Sequence, residues 1–239
     1  MRSRPRRRWP GRAAQPQPRI PASAEERVSA VDKAGAKSQS EFWLNGKLVG
    51  RAHWNPDGTP SIAVGMRNGA LYGHQITYHD DGTLYAEPLV DGLLHGLAKQ
   101  YDPRGRLLLV SPFRHGTGTD FWCDERGRLA EEHPLLHGKP SGIERWWVED
   151  QRSIYSETQW LDGEWHGVAR QWTTGGELDA GFPRFFVRGT KVSKRTYLQT
   201  ARTDPSLLRY RTADDCPERE VPTTFLKLRQ RARRLNARR

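Results

Sequence analysis

Apolar and aromatic positions between Glu41 and Tyr197 fall in short, strand-sized runs with no sustained helical period. Few stretches exceed about ten residues without Gly or Pro, a turn density that argues against a helical repeat. Local alternation is visible at Leu107 and Leu109 beside Leu108 and Val110. The runs are closed by Asn55-Pro56-Asp57-Gly58, Asp80-Asp81-Gly82, Pro103-Arg104-Gly105, Glu125-Arg126-Gly127 and Thr174-Gly175-Gly176. Asp, Asn and Gly tolerate the positive φ that tight hairpin turns need, so these clusters predict antiparallel hairpins.

The runs recur. Turn glycines stand at Gly46, Gly69, Gly92, Gly116, Gly138, Gly163 and Gly189, spaced 23, 23, 24, 22, 25 and 26 residues apart. A second glycine follows four residues on at Gly50, Gly73, Gly96, Gly142 and Gly167, while Gly118 breaks step and Ser193 replaces it in the last unit. An aromatic follows each copy, at Trp54, Tyr78, Tyr101, Trp122, Trp147 and Trp172. A fixed period of this size marks a stacked repeat. The expected fold is mainly β: an elongated antiparallel meander of about six hairpin repeats with its aromatics along one face.

The pattern of paired glycines, aromatic and turn glycine resembles the MORN repeat, and more closely its bacterial variant, over Phe42 to Val192. That resemblance implies a fold and a binding style. Because some proteins with the variant are labelled as toxin–antitoxin components, it also implies an antitoxin-like role.

The flanks read differently. Residues 1–40 are rich in Arg, Pro, Ala, Gln and Ser with little to bury, and predict a disordered basic tail. Residues 41–192 form the repeat domain, and Phe185 lies in an apolar strand that closes its sheet. In residues 193–210, Ser193 is the expected N-cap of a short helix from Lys194 to about Thr200, with Tyr197 and Leu198 capping the sheet end. Residues 211–222 predict a linker. Phe225, Leu228, Ala232 and Leu235 then form one stripe of a helix to about Arg234, coated by Lys227, Arg229, Arg231, Arg233 and Arg234. The stripe packs back on the sheet or engages a partner.

Charge sharpens this division. Residues 1–40 carry a net +7 and residues 201–239 a net +6, leaving the middle at −2 within a total of +11. Arg6, Arg7, Arg8, Arg231, Arg233 and Arg234 are therefore the candidate contacts to nucleic acid or an anionic membrane. The two cysteines, Cys123 and Cys216, form no CxxC pair. Together with the missing apolar run behind the first arginines, they predict a cytoplasmic chain without a transmembrane segment.

Candidate chemistry is sparse. His95 and His166 precede second glycines and His115 and His137 first glycines, so repetition spreads them along the stack. His133 and His137 are four apart, but Pro134 and Gly138 exclude the helix that would join them. Asp57, Asp80, Asp81, Asp91 and Asp162 are turn residues. No nucleophile motif, phosphate-cradling loop or metal-ligand spacing occurs. The expectation is a non-enzymatic protein-interaction module with no cofactor or metal and an unidentified protein partner, held through exposed aromatics such as Trp146 and Trp165. The alternative is a peripheral binder of nucleic acid or anionic membrane acting through the tails.

Overall fold

The computed structural model describes residues 15–237, so Arg6, Arg7 and Arg8 lie outside the described residues. Among the described residues the fold is mainly β, with antiparallel hairpin strands and no closed barrel. The strands expected as one meander are shared between two compact units. One extends to His115 and takes in the chain from Ala232; the other runs from Gly116 to Arg231.

The first unit holds β1 (Glu25–Val31), β2 (Lys37–Leu44), β3 (Lys47–Trp54), β4 (Pro60–Arg67), β5 (Ala70–Tyr78), β6 (Leu84–Val90), the two-residue β7 (Leu93–Leu94), β8 (Gly96–Tyr101) and β9 (Leu107–Phe113). They pair in chain order, with β7 beside β6. Asn45 and Gly46, at φ 50° and 74°, make the two-residue turn in which both central residues are left-handed. That turn matches the twist of the strands it joins, which explains the Asn-Gly and Asp-Gly pairs.

Residues 15–31 correct the expectation of a disordered 1–40. Ile20 and Ala24 pack with Phe42, Ala52 and Ala63, and β1 pairs along β2 from Glu25 opposite Trp43. Glycines make room for this segment. A Cβ on Gly50, which is not left-handed, would stand 2.5 Å from Ile20 Cγ1, and one on Gly65 would stand 2.7 Å from the Arg19 carbonyl oxygen. Backbone pairing and one buried isoleucine, worth about 2 kcal/mol, order a segment whose composition alone predicts disorder. A second cluster joins Ile76, Leu84, Ala86, Tyr101 and Val110 to Ala232, with Leu235 packed against it. Asn236 closes it by exchanging hydrogen bonds of 3.1 and 2.8 Å with the Leu107 backbone.

The second unit holds β10 (Gly118–Cys123), β11 (Leu129–Leu136), β12 (Lys139–Pro140), β13 (Gly142–Trp147), β14 (Ile154–Leu161), β15 (Glu164–Gln171), β16 (Arg184–Val187) and β17 (Thr190–Val192). They again pair in chain order, with β12 beside β11. Helix α1 (Lys194–Thr200) begins at Ser193, whose Oγ accepts the Thr196 amide. Tyr197 is fully buried against Phe185 and Leu207, whereas Leu198, expected to help cap the sheet, is exposed. Its position next to Tyr197 turns it to the opposite side of the helix.

Residues 211–222 are no free linker. After a short 3-10 turn at Thr212–Asp215, the Ile154 amide donates to the Pro217 carbonyl and the Arg219 amide to that of Arg152. Helix α2 (Thr223–Asn236) follows. Phe225 is buried against Phe121 at 5.7 Å between ring centroids, so the apolar stripe packs back on its own chain. Gln151, where a turn glycine is missing, takes the left-handed conformation itself at φ 59°.

Successive hairpins are also joined at their turns. Gly92, Gly138, Gly163 and Gly189 donate their amides to the carbonyls of Leu71, Gly116, Pro140 and Trp165, each lying two residues before a second glycine of the preceding hairpin. A side chain on the residue before that glycine adds a second link. His95 Nδ1 accepts the His115 amide, Thr117 Oγ1 that of His137, and His166 Nδ1 that of Arg188.

Candidate functional site

Successive side chains of a strand point to opposite faces, and the register of β11, β13, β14 and β15 lines up two very different rows in the second unit. Glu132 lies opposite Arg145, Arg145 opposite Glu157, and Glu157 opposite Arg170. The result is an alternating charge ladder across four strands. Arg145 donates to Glu157 at 2.9 Å and to Glu132 at 3.2 Å. Arg170 donates to Glu157 at 3.2 Å and to Asp215 at 2.8 Å. Arg219 adds a third guanidinium to Glu157. The side chains of Arg170 and Glu157 are only 2% and 5% exposed.

Burial raises the Glu132 carboxyl above its usual range despite Arg145. Tyr210, which donates to Asp215 at 2.6 Å, is pushed up to about 12 by burial and that bond. Beside the ladder, residues 208–219 leave a cleft of about 690 Å³.

The other face carries acids and aromatics. Trp122 and Trp146 donate their indole N–H to Asp120 and Glu144, two residues earlier on the same strand, at 2.8 and 3.3 Å. His133 sits between Glu131 (2.7 Å) and Glu144 (3.0 Å), edge-on to the Trp146 ring. Burial opposes its charge, but the two carboxylates prevail and raise its pKa to about 9. Burial likewise works against the Glu144 charge, and the bonds from His133 and Trp146 outweigh it, leaving its pKa lowered. Trp165 packs between Trp160 and Phe186 yet stays 39% exposed, and Tyr155 beside Trp146 is 42% exposed.

Among the described residues His166, Ser206 and Asp204 form a grouping with the look of a hydrolytic centre, and its hydrogen bonds run the wrong way. His166 Nδ1 accepts the Arg188 amide at 3.0 Å, so the neutral ring carries its proton on Nε2. That proton goes to Ser206 Oγ at 2.9 Å, and the hydroxyl donates to Asp204. No basic nitrogen faces the serine. Burial lowers the His166 pKa and keeps the ring neutral.

The sequence-predicted residues divide along the same lines. All seven first glycines, and Gly73, Gly96, Gly142 and Gly167 among the second, have positive φ. Of the aromatic ladder, Tyr101, Trp147 and Trp172 are buried, and Trp54, Tyr78 and Trp122 are half-buried. Apart from Trp122, whose indole bonds Asp120 on the acidic and aromatic face, they form interior contacts more than a docking face. Burial pushes the Cys123 thiol up to about 12, which keeps it protonated and unreactive. Arg231, Arg233 and Arg234 are exposed on α2.

The charge ladder was missed, although a signal exists: Glu132, Arg145, Glu157 and Arg170 alternate in sign at spacings of 13, 12 and 13, half the local repeat. Among the described residues no helix is long and apolar enough to cross a membrane. The chain matches no family model and no curated protein, so its functional reading rests on this geometry.

Proposed function

We propose that the chain is a non-enzymatic protein-interaction module that docks an extended, arginine-bearing segment of a protein partner on the aromatic and acidic face of the second sheet. One observation within the first unit carries this reading. Trp43 donates its indole N–H to Glu41 at 3.2 Å, the same acid-x-Trp arrangement as Asp120/Trp122 and Glu144/Trp146. There the neighbouring strand β1 lays Arg27 over the Trp43 ring at 5.2 Å, and Arg51 pairs with Glu41 at 3.3 Å. Indole faces and carboxylates together favour guanidinium through cation–π attraction and charge-assisted hydrogen bonds. Exposed Trp and Tyr are the side chains that most often anchor such interfaces.

The test is fluorescence anisotropy with labelled peptides, some bearing arginines in an extended register and others with those arginines replaced by glutamate. Arginine peptides are expected to bind, and Tyr155→Ala or Trp165→Ala to weaken them about tenfold. Equal binding of the glutamate peptides, or no loss in either variant, overturns the reading. An antitoxin-like neutraliser is one version of it, supported by the MORN-like pattern alone. A cytoplasmic setting agrees with the two free cysteines.

A second reading has its own observation. Lys227, Arg231, Arg233 and Arg234 are exposed on α2, a helix without an acidic residue. Contact of these four with phosphates gives a salt slope of at most about −3.6 in log K against log salt on DNA. Replacing all four by alanine should flatten it, and an unchanged slope would exclude this helix.

A further inference from the structure

The cleft beside the charge ladder is the least explained feature of the second unit. In the first unit the residue three places after the second glycine Gly73 is Ile76, fully buried between Ala63 and Ala86. The corresponding residues after Gly142 and Gly167 are Arg145 and Arg170. Apolar side chains there would close the space. Arginines hold it open beside residues 208–219, and buried ion pairs of this kind contribute little net stability compared with a packed apolar row. In the first unit Lys99 stands at the same step after Gly96, opposite Ala86; in the second unit the two arginines are instead tied to Glu132, Glu157 and Asp215 beside an open cleft.

From this geometry we infer that the cleft is a binding site for a small organic anion carrying a phosphate or carboxylate group. Five guanidinium groups line it, those of Arg145, Arg170, Arg209, Arg211 and Arg219, against the carboxylates of Glu157 and Asp214. Glu132 and Asp215 neutralise the ladder from behind, yet donors remain. Nε and Nη1 of Arg145 and of Arg170 are engaged, leaving Nη2 of each without a partner among the described residues. Arg209 is exposed and pairs with no carboxylate among the described residues.

The remaining wall is apolar, built by Ile143, Val168 and Leu208 with the ring of Tyr210. A volume of about 690 Å³ is that of a small-molecule site and far larger than a bare ion needs. Planar guanidinium forks suit both phosphate and carboxylate. The site lies on the opposite sheet face from the docking surface and does not rest on that reading.

The experiment is isothermal titration calorimetry of the full chain with glucose 6-phosphate, succinate, inorganic phosphate and glucose. At least one of the three anions is expected to bind with a defined stoichiometry, and which of them binds separates phosphate from carboxylate recognition. Arg209→Ala, which loses no ion pair and should fold normally, is expected to weaken that binding about tenfold. Arg170→Lys keeps the charge, removes the fork, and should weaken it as well. The proposal fails if none of the anions binds, if glucose binds as well as its phosphate, or if Arg209→Ala leaves the affinity unchanged.

Discussion

His133 provides the most direct test of the electrostatics on the aromatic face. Its ring bridges Glu131 and Glu144, and its pKa rises from 6.5 to about 9. Folding therefore increases its hold on the proton. The resulting stabilisation is fully present below pH 6.5 and is lost as pH rises through about 9. Taken at face value the shift corresponds to about 3 kcal/mol. The three side chains are 22%, 24% and 21% exposed, and screening at such sites reduces the value to about 1.5 kcal/mol.

Urea unfolding followed by tryptophan fluorescence, near pH 6 and near pH 9, should show wild type losing about 1.5 kcal/mol more than His133→Gln across that interval. Burial lowers His74 and His166, whose contributions change around and below pH 6.5. It raises Cys123 to about 12, and that contribution begins to be lost as pH rises through the ordinary thiol range near 9. These groups are common to wild type and variant, so the difference between the two isolates His133. Equal pH dependence in wild type and variant would refute the argument.

Two further expectations follow from the turns. Gly167→Ala should cost about 3 kcal/mol, because the new Cβ would stand 1.8 Å from Gln159 Oε1 at φ +139°, whereas Gly46→Ala, with nothing within 4 Å, should cost only about 1 kcal/mol from its backbone conformation; thermal melts of both variants check the ranking. His166→Ala should lower stability by about 1–2 kcal/mol by orphaning the Arg188 amide, and His166→Asn, which can offer a side-chain oxygen, should recover part of it.

Much of the architecture was legible because turn chemistry is local. Asn45-Gly46 or Asp162-Gly163 needs only its own two residues to specify a hairpin, and Ser193 needs only Thr196 to start α1. The stripe from Phe225 to Leu235 was equally plain. What escaped depends on partners distant in the chain. Residues 15–31 look too polar to fold until Gly50 and Gly65 are seen to admit Ile20 and Arg19. Asp215 and Arg219 look like linker residues until Arg170 and Glu157 meet them across gaps of 45 and 62 residues. The candidate site lay in this second class. Its residues are unremarkable singly and acquire meaning only through strand register.

The amide links from Gly92, Gly138, Gly163 and Gly189 to the preceding hairpins act as a gauge on one margin of each sheet. Along that margin the chain is metered: each link starts two residues before a second glycine and so sets the stagger of the next turn, even where the step from Gly116 to Gly118 is two residues. At the opposite margin the turns differ in length, and there the repeat absorbs its longer spacings of 25 and 26 residues. New length can enter at the loop near Gly175 without disturbing those amide links, whereas the loop near Asp150 is held by Gln151 to Leu129 and by the Arg152 carbonyl to Arg219. A lineage of such chains is therefore free to elaborate one border of the sheet while the other stays constant, and a designer grafting a binding loop has the same border to use.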